Sequence, residues 1–238
     1  MGIVRMGPPE EVVLLLKEIF NISTFIETGT FKGGTAIWAS KHFNNVITIE
    51  NSKTLYDQVV DKNKNIENIT FLFGNSTDNL KQIVPKLDKT AIFWCDAHWC
   101  GGDSYGEMNQ CPIIQELETL VKSGTPHCIL IDDARLFLSP PSLPNLIDQW
   151  PTVDKILNTL QSGEEHYYII ISEDVIIAVP VLAKVALARH IQSLNTKWWQ
   201  EHCESPSKKG LRLIKQGARL FVLDISSKTL QTFGIRRT

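Results

Sequence analysis

The sequence predicts an α/β protein: a mostly parallel, seven-stranded sheet with helices on both faces, closed by an antiparallel hairpin. Three observations lead there. Short apolar runs alternate with stretches of helical patterning along the first two thirds of the chain. A glycine-rich turn joins the first such run to its helix. Two β-rich runs near residue 173 are separated by three residues, which is hairpin spacing.

Taken in order, Pro8-Pro9-Glu10 opens a helix whose apolar residues Val12, Val13, Leu16, Ile19 and Phe20 return at helical spacing, and Asn21 stops it. Strands are expected at Thr24 to Glu27, Val46 to Glu50, Ile69 to Phe73, Ala91 to Cys95 and Cys128 to Ile131. Helices are expected between them at Thr35 to Lys41, Leu55 to Asn63, Thr77 to Lys86 and Ile113 to Lys122. Strands and helices alternating at this interval imply right-handed βαβ units and a sheet covered on both faces. After the proline-rich loop Ser139 to Pro144 come a helix at Thr152 to Leu160 and the hairpin of Tyr167 to Ile171 with Val175 to Val179. The remainder reads as an amphipathic helix from Leu182 to Trp199, a turn at Ser205 to Gly210 and a strand at Leu220 to Ile225. Residues 1–180 are thus expected to form one domain, and residues 181–238 an extension packed on it rather than a separate domain.

A chain of 238 residues that is 43% hydrophobic can bury a substantial core. Its longest apolar runs fall short of the roughly 18 to 20 residues that span a bilayer, and its first residues lack the basic, apolar and small-residue succession of a secretory signal. A cytoplasmic location is the expectation. Five scattered cysteines are too few for a disulfide framework and are expected to be reduced. The net charge of −2 divides into −10 for residues 1–180 and +8 for residues 181–238. A basic tail without a nucleic-acid module can pack on an acidic body or pair two protomers in a homodimer, and nucleic acid is not the expected partner.

The segment Phe25-Ile-Glu-Thr-Gly-Thr-Phe-Lys-Gly-Gly34 runs from strand through glycine turn into helix, so backbone N–H groups face a polar ligand. The next strand ends in Glu50, 21 positions after Gly29, where an acid can take both ribose hydroxyls of a nucleoside. A pyrophosphate binder would carry a glycine where Phe31 stands. Glu27, just ahead of the turn, would repel phosphate but suits the ammonium and sulfonium groups of S-adenosylmethionine.

With these residues the chain resembles the class I S-adenosylmethionine-dependent methyltransferases, whose fold is Rossmann-like, and among them the metal-dependent O-methyltransferases of the catechol and macrocin types. The resemblance covers roughly residues 22–180. It implies that Glu27, Thr28, Gly29, Thr30 and Gly33 hold the methionine portion and Glu50 the ribose. Asn75 and Ser76, in Gly74-Asn-Ser-Thr-Asp78, would lie against the adenine, and Asp96 would face the cofactor from the fourth strand. Metal ligands of such enzymes follow the fourth and fifth strands, where this chain has Asp96 and the pair Asp132 and Asp133. Three carboxylates with waters suit Mg²⁺. The implied reaction is transfer of a methyl group to a hydroxyl of a small molecule such as a sugar or secondary metabolite, with the metal on the acceptor oxygen and His98 or a similar base taking its proton.

Several of these residues admit other readings. Asp96, Asp132 and Asp133 can cap strand exits. His98 can be a base, a metal ligand or a loop histidine, because the lysine that catechol-type enzymes use has no counterpart between Lys89 and Lys122. Cys95, His98, Cys100 and Cys111 invite zinc, though their spacing fits poorly. The glycine-rich stretch Trp99 to Gly106 has the composition of a mobile cover. A binding protein without turnover and an NAD-dependent oxidoreductase remain alternatives.

Overall fold

The structure, a computed structural model, describes residues 6–99, 109–203, 205–211 and 213–215. The chain divides into two compact units, residues 1–188 and 189–238.

The first unit opens with α1 (Glu10–Phe20), which starts where the Pro9 carbonyl accepts the N–H groups of Val12 and Val13. Glu10 and Glu11 complement the positive end of its dipole, and Asn21 ends it in the left-handed conformation at φ 50°. The chain then alternates through β1 (Thr24–Thr28), α2 (Gly34–Ser40), β2 (Asn45–Glu50), α3 (Lys53–Asn63), β3 (Ile69–Phe73), α4 (Ser76–Ile83) and β4 (Ile92–Cys95). Next come α5 (Ile113–Val121), β5 (Cys128–Ile131), α6 (Arg135–Leu138), α7 (Val153–Leu160), β6 (Tyr167–Ser172) and β7 (Val175–Pro180). Helix α8 (Lys184–His202) follows.

The seven strands form one sheet in the order β3-β2-β1-β4-β5-β7-β6. Strands β1 to β5 are parallel, and β7 lies antiparallel between β5 and β6. This is the expected architecture, Rossmann-like and closed by an antiparallel hairpin. Its order reverses between β1 and β4, so a crevice opens outside their carboxyl ends, the place where open α/β sheets hold ligands. Every residue of β4, β5 and β7 is buried, as expected of strands covered on both faces. On one face Ile26, Ile49, Phe93, Ile129 and Ile131 pack with Leu117 and Leu120 of α5 and with Ile156 and Leu160 of α7. On the other, Phe25 meets Trp38 at 6.2 Å and Phe43 at 5.3 Å between ring centroids.

Three elements depart from expectation. The helix expected over Thr77 to Lys86 stops being α-helical at Ile83 and tightens into a 3-10 turn at Val84–Lys86, because Pro85 has no N–H to continue the ladder. Helix α6 follows β5 at once with no sequence cue. Residues 206–211 are helical rather than a simple turn: the Ser205 carbonyl accepts the Lys209 N–H at 2.9 Å, and Pro206 sits in the first turn, where its missing donor costs nothing. The strand expected at Leu220 to Ile225 lies outside the described residues. Among them, no helix is long and apolar enough to cross a membrane.

Candidate active site

Strand register explains the β1–β2 half of the crevice. Glu27 of β1 stands beside Thr48 of β2, and the Thr48 hydroxyl donates to Glu27 Oε2 at 2.6 Å while meeting the Thr30 hydroxyl at 2.6 Å. Glu27 is only 2% exposed. Burial pushes its carboxyl up to about 8, the Thr48 hydrogen bond restrains the rise, and the charges of Asp96 and Glu50 add to it. The turn that follows is shaped by close approach: Gly29 has φ 90°, and a β-carbon there would lie 2.3 Å from the Asp96 carbonyl oxygen. Gly33, at φ 78°, starts α2.

Glu50, at the end of β2, is fixed by two backbone donors. Phe31 N–H reaches its Oε2 at 2.8 Å and Ser52 N–H its Oε1 at 2.7 Å. A carboxylate offers about four acceptor positions, so both oxygens can still accept from vicinal hydroxyls. The first donor requires Phe31 to take φ 50°, a conformation uncommon for a bulky residue. Beyond β3, the Asn75 side chain caps α4 by accepting the Thr77 N–H at 2.9 Å, and Ser76 is buried.

A residue not anticipated from the sequence joins these parts. Thr28 faces the α5 side of the sheet, where its hydroxyl donates to Glu116 Oε2 at 3.4 Å. Glu116 is buried, and burial raises its carboxyl to about 7 against hydrogen bonds from Ser76 and Thr28. It therefore links the tip of β1 to the start of α4. Its signal was present: Glu116 lies on the same helical face as Ile113, Leu117 and Leu120, where an apolar residue would be expected.

Across the crevice stand the residues after β4 and β5. His98 Nε2 lies 3.2 Å from Asp96 Oδ1 and 2.9 Å from Asp133 Oδ2. The other Asp133 oxygen is 2.5 Å from Arg135 Nη1, which also contacts Asp174 of the β6–β7 turn. Burial works against ionisation of Asp133, yet His98 and Arg135 outweigh it and hold the carboxyl below the usual range. Asp96 is raised, by burial above all. Asp132 is pushed up to about 7 by burial and by the charges of Asp96 and Asp133, and its Oδ1 accepts the Asp133 N–H at 2.7 Å.

The His98 ring rests 5.6 Å from that of Trp150, whose indole N–H donates to Gln110 Oε1 at 3.1 Å. The same buried amide oxygen accepts the Leu146 N–H at 2.8 Å, and the Gln110 N–H donates to Gln149 Oε1 at 2.9 Å. The loop after α6 is thereby tied down under His98.

The structure gathers Glu27, Thr28, Gly29, Thr30, Gly33 and Glu50 around one cradle, with Asn75 and Ser76 at its β3 side. It also gathers Asp96, Asp132 and Asp133, but not as a ligand set. Among the described residues no group of three or more His, Cys, Asp or Glu is disposed to hold a metal ion. One Asp133 oxygen already meets the Arg135 guanidinium and the other lies against the His98 ring, so these residues do not fit the Mg²⁺ that the resemblance implies. Of the zinc candidates, Cys95 is packed in the core, Cys111 is buried, and Cys100 lies outside the described residues, as does the expected cover from that position to Gly106. The four described cysteines are free thiols.

No protein-family model matches the chain, and no curated protein matches it. Solved structures do. An O-methyltransferase from Bacillus cereus in complex with SAH is 16% identical, with a TM-score of 0.52 over 74% of this chain and 82% of that one. A putative caffeoyl-CoA O-methyltransferase from Staphylococcus aureus is 14% identical, with a TM-score of 0.51 over 74% and 86%. An SAH-bound methyltransferase from Podospora anserina is 14% identical, with a TM-score of 0.50 over 74% and 79%. The likeness is one of fold, the Rossmann-like fold shared with these structures.

Proposed function

We propose that this chain is an S-adenosylmethionine-dependent O-methyltransferase acting on a hydroxyl of a small molecule such as a sugar or secondary metabolite. The observation that carries the reading is Glu27, a buried acid directly ahead of the Gly29 turn, with Glu50 at the neighbouring strand tip. Glu27 meets the cationic methionine end of the donor, Thr28 to Gly33 shape the turn around it, and Glu50 accepts the ribose hydroxyls. Asn75 and Ser76 border the adenine. The SAH named with two of the similar structures supports the same ligand class.

In this reading the acceptor oxygen attacks the sulfonium methyl in line, the sulfur–carbon bond breaks, and S-adenosylhomocysteine leaves. The hydroxyl proton passes to the Asp96 and His98 pair, with Asp133 holding the imidazole. Because the donor is already activated, positioning supplies most of the acceleration. No step runs through Mg²⁺, since the strand-tip carboxylates do not fit it.

Calorimetric titration with S-adenosylmethionine, S-adenosylhomocysteine and NAD tests the donor. Saturable binding of both sulfur ligands is expected, whereas binding of NAD alone overturns the reading. Transfer of a labelled methyl group across a panel of hydroxylated small molecules then tests turnover, and binding without transfer to any of them would favour a non-catalytic binding protein.

A further inference from the structure

At the carboxyl ends of β4 and β5, five ionisable side chains touch in series: Asp96, His98, Asp133, Arg135 and Asp174. The far end is the most firmly built. Asp174 occupies the β6–β7 turn at φ 69°. Its carbonyl accepts the Ala134 N–H at 2.8 Å, its Oδ1 accepts the Arg135 N–H at 2.8 Å, and its Oδ2 meets the Arg135 guanidinium. Two backbone bonds and an ion pair thus seat Arg135, although its side chain is 45% exposed. Asp133 is set to receive it. At φ 56°, with its N–H on Asp132, Asp133 turns one oxygen to Arg135 and the other to His98.

A hard divalent cation would need those same oxygens. Mg²⁺ binds carboxylate oxygen at about 2.0 to 2.1 Å in a strict octahedron, and here it would sit against a guanidinium bonded to one ligand atom and an imidazole close to the other. Three carboxylates crowded at two strand tips call for a held proton or for positive charge nearby. The fold supplies it from its own side chains.

We propose that Arg135, seated by Asp174, is the resident cation of this site and, with His98, occupies the place that the resembling enzymes give to a metal ion. Arg135 is a positioning residue: it fixes Asp133, which fixes His98, and it balances the carboxylates without drawing on free metal. This rests on the contacts among these side chains and not on the methyl-transfer reading.

The probe is Mn²⁺ alone, titrated into the full chain without donor or acceptor and followed by electron paramagnetic resonance. The wild type is expected to leave Mn²⁺ free. Arg135→Met, shown to be folded by circular dichroism, is expected to bind one equivalent with an affinity higher by about tenfold or more, and Arg135→Lys to stay near the wild type because the charge remains. One-to-one binding by the wild type that Asp133→Asn abolishes overturns the proposal. So does a folded Arg135→Met variant that binds no better than the wild type. If Arg135→Met does not fold, the comparison of wild type with Asp133→Asn decides alone: a shared lack of binding upholds the proposal.

Discussion

The α-carbon of Gly29 faces the backbone carbonyl of Asp96 so closely that a β-carbon would lie 2.3 Å from that oxygen. The first strand's turn and the fourth strand's exit are therefore fitted to each other, and neither can shift without moving the other. Gly29→Ala combines this clash with φ 90°, a conformation that alanine resists. A loss of about 2 to 4 kcal/mol in unfolding free energy is expected, together with weakened donor binding. Urea denaturation and donor calorimetry check both.

Under the proposed function, Glu27 gives donor binding a pH dependence. Its carboxyl, raised to about 8, is protonated in the free protein at neutral pH, whereas a cationic ligand favours the ionised form. Binding should release a proton below that value, and affinity should climb as pH rises toward 8 and then level off. Glu27→Gln should flatten the profile at weak affinity. Calorimetry in buffers of differing ionisation enthalpy counts the protons, and absence of release at pH 7 would contradict the assignment.

Stability of the ligand-free protein should fall on the alkaline side. Glu27, Glu116 and Asp132 have folded values raised to about 8, 7 and 7, so the folded state holds more protons than the unfolded one. For each group the contribution is full below its unfolded value and is lost as pH rises through its folded value. The melting temperature should be lower at pH 9 than at pH 6. Glu116→Gln, which keeps an acceptor for Thr28, should recover on the order of 1 to 3 kcal/mol at pH 9 and change little at pH 5. Thermal melts of both proteins across that range provide the check.

Gln110→Met should loosen the floor beneath His98. The substitution leaves the Trp150 indole N–H and the part-buried Leu146 N–H without their acceptor, at about 1 to 3 kcal/mol for the buried indole donor. The melting temperature should drop and the intrinsic tryptophan emission should shift to the red as Trp150 gains water. An unchanged spectrum would mean that other contacts hold the indole.

Much of the fold was legible because the chemistry was local. Runs such as Ile92–Cys95 and Cys128–Ile131 are continuous apolar strands, and Glu173 with Asp174, both at positive φ, make the turn that the three-residue gap announced. Glu27, Gly29 and Glu50 stand out for the same reason: each departs from what its strand or turn would otherwise prefer. The acid pair after β5 was legible as charge but not as geometry. The left-handed backbone of Asp133 and its engagement by Arg135 depend on Asp174, 39 positions beyond Arg135 and delivered by a hairpin. Nothing in the local pattern of Gln110 announces that it accepts hydrogen bonds from the loop at residues 146–150. Pro85, by contrast, marks the end of α4 within the sequence itself, since it has no N–H to continue the ladder.

The hairpin turn at Glu173–Asp174 also sets an order of events in the making of the protein. Residues through α6 include Glu27, Glu50 and the strand-tip carboxylates, but Asp174 is synthesised later and is the group that seats Arg135. A nascent chain that has emerged only as far as α6 holds Asp133 and Arg135 but still lacks this clamp. On the ribosome, Arg135 therefore emerges before the residue that seats it.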